Sequence, residues 1–239
     1  LNMKIDVLAF GAHPDDVELS CSGTLLKLKA QGKKIGIIDL TKGEMGTRGT
    51  DLTRKQEAAD ASSILELDVR ENLDLGDGSF EINQENRLAV IRAIRKYQPT
   101  IVLANSFHDR HTDHARGAQL VKEACFLAGL KKIITEDENG EQENWRPKYV
   151  FHYIQYYHVT PHFVVDVTPF QEKKNGSIRA YKTQFFNPES QEQETLISSE
   201  KFLKFVEARG REMGAAIEVE FGEGFTSDSP LTYDLFNLL

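Results

Sequence analysis

The chain has 239 residues, of which 40% are hydrophobic and 28% charged, enough for a globular protein with a sizeable core. Its formal net charge of -8 argues against a nucleic-acid binder, because phosphate backbones require dense basic surfaces. The two cysteines, Cys21 and Cys125, form no CxxC motif, which argues against a disulfide scaffold or thiolate zinc site and favours a cytoplasmic location. No run of about 18 apolar residues exists, so we predict neither membrane spanning nor secretion.

The first half of the chain alternates buried strands with amphipathic helices. A first apolar run begins at Ile5 and is broken by Gly11 and Pro14, and further strands are predicted over 34–41, 69–75 and 99–104. Helices are predicted between these strands and after the last one, over 23–32, 53–66, 84–97 and 115–127. This order predicts a Rossmann-like, doubly wound, mainly parallel sheet flanked by helices.

The second half predicts a smaller α/β portion packed on this core. Residues 135–146 are acidic and polar and predict a solvated loop, followed by strands over 148–155 and 162–167 and helices over 168–186 and 193–213. Neither a repeat nor a low-complexity linker is present. We therefore predict one domain over 1–239, with a core over 1–130 and a second portion over 131–239.

Two short polar clusters follow predicted strands. The first strand ends in His13-Pro-Asp15-Asp16, and the fourth is followed by a loop that contains His111-Thr-Asp-His114. Because parallel strands share one carboxyl edge, the two clusters can meet if their strands are neighbours. Alone, each cluster could equally be a turn with a helix cap, but two such clusters in a chain with seven histidines favour a joint metal site.

The donor set predicts catalytic zinc held by His13, Asp16 and His114, although iron(II) tolerates similar ligands. Zinc lowers the pKa of a bound water to about 7. Asp15, which lies between two ligands, is then predicted to accept the proton of that water. His111, oriented by Asp113, is predicted to stabilise an oxyanion or to protonate a leaving amine.

Three arginines follow strand ends in the sequence. For any one of Arg48, Arg54 and Arg110 the sequence alone favours an ordinary solvated side chain. As a set, the three could bind a carboxylate or phosphate of a small ligand. His158 either ends a buried strand or lines the same pocket.

The two histidine clusters make the chain similar to the LmbE-like, or PIG-L, family of zinc-dependent N-deacetylases. The segment Gly43-Glu-Met-Gly-Thr-Arg-Gly-Thr50 and the run Asp109-Arg-His-Thr-Asp-His114 most resemble the bacterial branch that contains the bacillithiol-biosynthesis deacetylases. The resemblance implies removal of acetate from an N-acetylglucosaminyl compound such as N-acetylglucosaminyl malate. It implies that His13, Asp16 and His114 hold the zinc within 1–130, that Asp15 is the general base, and that 131–239 lies on the substrate side. It also implies that Arg54 is directed at the substrate and that the protein is a homohexamer.

The chain departs from the family pattern at two places. Thr112 stands where the family usually has proline, which spares every ligand. Some relatives place a mobile tyrosine over the pocket, whereas this chain has Phe202 and Phe205 in that region, so Tyr156 or Tyr157 would have to substitute. Two other functions remain open, a metal-dependent sugar phosphoesterase and a non-catalytic module that binds a sugar or nucleotide.

Overall fold

A computed structural model describes residues 3–231 of the chain. It contains a central seven-stranded sheet with the strand order β3-β2-β1-β4-β7-β9-β8, and a separate two-stranded hairpin, β5-β6. The strands are β1 (Val7–Gly11), β2 (Ile35–Asp39), β3 (Val69–Asn72), β4 (Ile101–Ala104), β5 (Glu136–Asp137), β6 (Gly140–Glu141), β7 (Tyr149–Tyr153), β8 (Phe163–Asp166) and β9 (Gly222–Ser227). The helices are α1 (Asp16–Ser20), α2 (Ser22–Ala30), α3 (Asp51–Leu65), α4 (Gln84–Tyr97), α5 (Thr112–Ala128), α6 (Gln171–Arg179) and α7 (Glu200–Ala215).

The sheet is mainly parallel, as the sequence predicts. Strands β3, β2, β1, β4 and β7 run parallel to one another, and β9 is antiparallel to both of its neighbours. All five residues of β1 and of β2 are buried, because these central strands are covered by helices on both faces. The α/β fold class is therefore confirmed.

Two apolar clusters cover the faces of the sheet. Cys125 lies in the cluster of α4 and α5, and Cys21 lies in the cluster formed with α2 on the other face. Both thiols are buried and free, as expected for small core residues. In the part of the chain that the structure describes, no helix is long and apolar enough to cross a membrane.

The second half of the chain departs from the predicted elements. The helix predicted over 168–186 is instead a 3-10 turn followed by α6, which ends at Arg179. Turns follow the helix, and they place the side chains of Tyr181 and Phe185 in the core. The helix predicted from 193 begins only at Glu200. Thr195 and Ser198 bond to each other's backbone N–H groups and form a turn there, and hydroxyl side chains of this kind compete with helix formation.

The sequence prediction missed a hairpin and a strand of the main sheet. Residues 135–146, predicted as a solvated loop, contain the β5-β6 hairpin, in which Thr135 and Gln142 are buried. Strand β9 was also not predicted, because its sequence Gly-Glu-Gly-Phe-Thr-Ser is rich in glycine and carries a carboxylate. It inserts between β7 and β8 and thereby joins the last part of the chain to the sheet.

Candidate active site

The carboxyl end of β1 delivers the first polar cluster. The buried strand ends at Gly11, and α1 begins at Asp16, so His13 lies in the turn between them. The His13 backbone N–H donates to Asp16 Oδ2 at 3.0 Å, which closes this turn. Asp15 has a φ of 127°, a strained conformation that costs about 1–3 kcal/mol in a non-glycine residue. The turn therefore separates the directions of the Asp15 and Asp16 carboxylates.

The second cluster meets the first because β4 is the direct parallel neighbour of β1. His111 is the N-cap of α5, and His114 lies in its first turn. Asp16 Oδ1 is 3.1 Å from His114 Nε2, and Asp16 Oδ2 is 3.6 Å from His13 Nδ1. The His111 ring lies 4.6 Å from the His13 ring and 5.2 Å from the His114 ring, measured between centroids.

These distances fit a shared metal ion. Four atoms that each lie about 2.1 Å from one tetrahedral zinc ion are about 3.4 Å apart from one another. The separations between Asp16 and the two imidazoles are close to this value, with Oδ1 facing His114 and Oδ2 facing His13. Ring nitrogens of His13, His111 and His114 also lie within 4.8 Å of one another, so His111 stands beside the same point in space.

The charge balance of the cluster also favours a cation. Burial acts to lower the pKa of His13, but its hydrogen bonds to Asp113, Asp16 and Asp77 raise it well above its usual value. Burial likewise opposes the charged form of His114, but the Asp16 carboxylate raises the pKa of His114 to about 9. The surrounding carboxylates thus stabilise positive charge, and a metal ion can take the place of these protons.

The Asp16 carboxylate accepts hydrogen bonds from three groups, the His13 N–H described above and two side-chain amides. Gln155 Nε2 donates to its Oδ1 at 2.7 Å, and Asn105 Nδ2 donates to its Oδ2 at 3.0 Å. Asn105 is itself fixed, because its Oδ1 accepts the Ala12 N–H and its carbonyl oxygen lies 2.7 Å from His152 Nδ1. Sequence reasoning missed both amides. The place of Asn105 directly after β4 could have indicated it, but nothing in the sequence pointed to Gln155.

Two further aspartates adjoin the histidines. Asp77 Oδ1 lies 3.0 Å from His13 Nε2, opposite the nitrogen that faces Asp16, and Asp109 Oδ1 lies 3.1 Å from His114 Nδ1. Carboxylates in this position fix the tautomer and the ring orientation of metal-binding histidines. Neither aspartate was predicted to have a role. The Gly76-Asp77-Gly78 loop that follows β3 at the same sheet edge was the available signal for Asp77.

Asp15 is buried against Arg54. Arg54 Nη2 donates to Asp15 Oδ2 at 3.2 Å and to the Pro14 carbonyl oxygen at 2.7 Å. Burial raises the pKa of Asp15 to about 7, although the neighbouring Arg54 guanidinium acts to lower it. The structure therefore pairs Arg54 with the predicted base, whereas the sequence directed it only at the substrate.

His111 does not contact the Asp113 carboxylate in the way that the sequence suggested. His111 Nδ1 accepts the backbone N–H of Asp113 at 3.2 Å, because His111 caps α5. The Asp113 carboxylate instead accepts from Gly78 N–H and from Arg116, and lies 3.5 Å from His13 Nε2. With Nδ1 as acceptor, the neutral His111 ring carries its proton on Nε2.

Only some of the other residues predicted to bind substrate line the cavity that contains the histidines. Arg110 and Arg54 line the same 210 Å³ cavity as the histidines. Arg48 does not line it, and its guanidinium bonds to Ser190 and Glu192. His158 is exposed and lies 3.3 Å from Glu212, also outside this cavity. Of the aromatic residues considered as substitutes, Tyr156 and Phe202 line the cavity, and Tyr157 does not.

Comparison with known proteins identifies the family. The model of the family described as PIG-L, GlcNAc-PI de-N-acetylase, matches residues 8–125. The chain is 30% identical over 193 residues to the diacetylchitobiose deacetylase of Thermococcus kodakarensis, an alignment that covers 75% of this chain and 70% of the relative. The chain belongs to the PIG-L, or LmbE-like, family of deacetylases. It is therefore an enzyme of the class that hydrolyses amide bonds.

Solved structures have the same fold over almost the whole chain. The conserved protein TT1542 from Thermus thermophilus is 36% identical, with a TM-score of 0.86 over 97% of this chain and 98% of that one. The N,N'-diacetylchitobiose deacetylase of Pyrococcus horikoshii is 24% identical, with a TM-score of 0.79 over 98% of this chain and 88% of that one. The likeness to the second structure supports the fold alone.

Proposed function

We propose that this PIG-L family member is a zinc-dependent N-deacetylase that releases acetate from an N-acetylglucosaminyl conjugate. The observation that carries the proposal is the convergence of Asp16 with His13 and His114 at the junction of β1 and β4, with Asp15 beside them. Two imidazoles and one carboxylate with an open side are a common ligand set of catalytic zinc. An acid, a base and a cation site in one cavity suit amide hydrolysis.

His13, Asp16 and His114 would hold the metal, with His13 bound through Nδ1, because its Nε2 faces Asp77. Zinc bound there would supply Lewis acidity towards water and the acetyl carbonyl. Iron(II) would suit the same donors, and we propose zinc as the metal because this ligand set is common in catalytic zinc sites. The amide groups of Asn105 and Gln155 would keep the Asp16 carboxylate in place.

Asp15 would accept the proton of the attacking water. Its carboxylate is held by Arg54 rather than by the groups that hold Asp16, so it stays free of the metal. Burial raises its pKa towards neutrality, which suits a group that first takes and later returns a proton.

His111 would act on the opposite side of the acetyl group. Its Nδ1 is occupied by the Asp113 N–H, so the Nε2–H remains available to donate to the developing oxyanion. Asp113 thus assists His111 through its backbone, and its side chain supports His13 and the Gly78 loop.

The substrate class follows from the relatives and from the cavity. The family description names a GlcNAc derivative, and one relative is named for diacetylchitobiose. A cavity of 210 Å³ is smaller than the ~300 Å³ or more typical of larger ligands, so it suits one acetylated sugar ring with the remainder outside. The resemblance to the bacillithiol branch makes N-acetylglucosaminyl malate our first candidate, with Arg54 and Arg110 as contacts. We assign no substrate contact to Arg48 or His158, and predict a cytoplasmic homohexamer.

Acetate release and metal analysis test this function together. We expect the wild-type protein to bind about one zinc per chain and to release acetate from N-acetylglucosaminyl malate but no phosphate from sugar phosphates. Asp15→Asn should retain the metal and lose turnover by about 100-fold or more, within the range of general-base catalysis. His114→Ala should lose both.

Three outcomes would contradict the proposal. Near wild-type turnover in Asp15→Asn would remove Asp15 as the base. Phosphate release without acetate release would favour a phosphoesterase. Absence of stoichiometric metal, with activity and melting temperature insensitive to chelator, would favour a non-catalytic binding module.

A further inference from the structure

Among the described residues, Arg209 is the one charged side chain lining the cavity to which neither the sequence nor the proposed chemistry gives a role. It projects from α7 into the cavity that contains His13, Asp16 and His114. The residue as a whole is partly exposed, but Nη1 is shut off from solvent and has no hydrogen-bond partner. Across residues 3–231, Arg209 makes no ion pair and no hydrogen bond, and burial lowers its pKa to about 10.

The other enclosed cations of residues 3–231 have partners within the chain. Arg54, Arg70 and Lys174 contact carboxylates, and the buried Arg95 donates to backbone carbonyl oxygens and to Thr135. A guanidinium nitrogen that is shut off from water and has no acceptor is costly. Arg209 differs from these residues because no acceptor of the described chain contacts its Nη1.

The three carboxylates whose charges act on Arg209, those of Asp109, Glu212 and Glu223, already have other partners, and Glu223 pairs with Lys174. Asp109 accepts the N–H groups of Arg110 and Tyr156 and lies against His114, and Glu212 pairs with His158. None of the three carboxylates lies within ion-pair distance of Arg209, although all act on it electrostatically. Within residues 3–231, the Arg209 guanidinium therefore has no carboxylate partner.

A second guanidinium stands at the same end of the cavity. The Arg209 Cζ lies 5.3 Å from the centre of the Phe205 ring, and the Arg110 Cζ lies 5.3 Å from the centre of the Tyr156 ring. The two rings are 5.0 Å apart and tilted against each other. Two arginines therefore flank an aromatic pair, and these rings orient the guanidinium groups without neutralising them.

We propose that Arg209 binds a carboxylate group of the substrate, at the part of the cavity lined by Arg110 and Tyr156. A carboxylate matches the planar fork of a guanidinium and can accept two parallel N–H bonds. One monoanion also balances the single unpaired charge of Arg209, whereas a phosphate dianion would add a charge next to Asp109. This inference rests on the proposed function, and it narrows the substrate to conjugates with an acidic group on the part beyond the acetylated sugar.

The test compares N-acetylglucosaminyl malate with its dimethyl ester, in which two methyl groups remove the carboxylate charges, on the zinc-loaded protein. For each ligand we would measure kcat/KM and, by calorimetry on the Asp15→Asn background, the Kd. Arg209→Met should lower the acid-to-ester ratio by about 10- to 100-fold in both measurements, the range for one charge-assisted bidentate pair. Arg209→Lys should lower this ratio less, because it keeps the charge and loses the fork.

Arg211→Met is the matched control, since Arg211 lies two residues along α7, is exposed and pairs with Glu207 and Glu220. It should leave the ratio unchanged. An equal loss for acid and ester in Arg209→Met would indicate a structural role and overturn the proposal, as would an unchanged ratio. Arg209→Gln, checked by melting temperature, serves if the Met variant does not fold.

Failure of the proposed function has a different signature. If no acetate is released but the acid binds more tightly than the ester in an Arg209-dependent manner, the deacetylase substrate is wrong and the carboxylate site stands. If inorganic phosphate displaces the acid more strongly than acetate and malate do, the carboxylate assignment is overturned. If acetate is released equally from acid and ester, the function stands and the role of Arg209 does not.

Discussion

Arg54 Nη2 lies 3.2 Å from Asp15 Oδ2 and 2.7 Å from the Pro14 carbonyl oxygen, so one guanidinium fixes both a strained turn and its carboxylate. We predict that Arg54→Met lowers kcat by about 10- to 100-fold, because Asp15 loses its orientation next to the attacking water. The metal content should stay at the wild-type value, because Arg54 contacts none of the proposed ligands. Steady-state kinetics with metal analysis checks this.

The same pair predicts a change in the pH profile. Arg54 acts to lower the pKa of Asp15, and the base works only when ionised, so loss of Arg54 should move the acidic limb of kcat/KM to higher pH. Arg54→Lys keeps the charge and should show a smaller displacement. An acidic limb that stays in place in Arg54→Met would mean that Asp15 does not govern it, and a change in KM alone would favour the substrate-binding role that the sequence predicts.

The side-chain amide of Gln155 should lower the Kd for zinc. It donates to Asp16 Oδ1 at 2.7 Å, and loss of a group that supports a ligand usually weakens metal binding by about 10- to 100-fold. Gln155→Leu should therefore raise the zinc Kd by that amount in a competition assay with a chelating dye. Gln56→Leu is the control and should leave the zinc Kd unchanged, because Gln56 is exposed and its side-chain amide donates to Asp60, far along the chain from the histidines. Equal Kd values in the two variants would argue against Asp16 as a ligand.

Removal of the metal should affect both stability and activity. A ligand that binds only the folded state stabilises it, by about 4 kcal/mol when present at 1,000 times its Kd. Chelation should thus lower the melting temperature of the wild-type protein and abolish acetate release, and added zinc should restore both. His114→Ala should melt at the same temperature with and without chelator. A chelator effect of equal size in this variant would show that the stabilising metal is bound elsewhere.

The positions of the proposed ligands could be predicted from the sequence because they depend on topology. His13 and Asp16 follow β1, His114 follows β4, and adjacent parallel strands bring their carboxyl ends together. Their spacing of three residues is a local property that a turn or a first helical turn preserves. The fold class followed from the same alternation of strands and helices.

The supporting residues could not be predicted in this way. Gln155 reaches the cavity from the segment after β7, and Arg209 reaches it from α7. The approach of both is set by packing of the second half of the chain and by β9, a strand without a clear sequence signal. The Asp113 side chain turned towards His13 and Gly78, because its backbone N–H was needed to cap α5 at His111. Such choices depend on competition between hydrogen-bond partners that are distant in sequence.

The contacts of Glu223 join the second half of the chain to the first, and they should contribute to the free energy of unfolding. Its side chain, 3% exposed, accepts the Gly23 and Thr24 N–H groups at the start of α2 and the Lys174 ammonium group from α6. Glu223→Ala would leave this ammonium group buried without a partner, and we expect a loss of about 3–5 kcal/mol in the free energy of unfolding. Urea denaturation followed by circular dichroism measures this loss.

The control for this variant is Glu220→Ala, which should change stability by less than about 1 kcal/mol. Glu220 is exposed, and Arg211 is its ion-pair partner among residues 3–231. If residues 1–239 form one domain as predicted, Glu223→Ala should shift a single cooperative transition, because β9 and α2 then unfold together. Two separate transitions, with only one of them shifted by the substitution, would show that the C-terminal portion unfolds independently of the strands that carry His13 and His114.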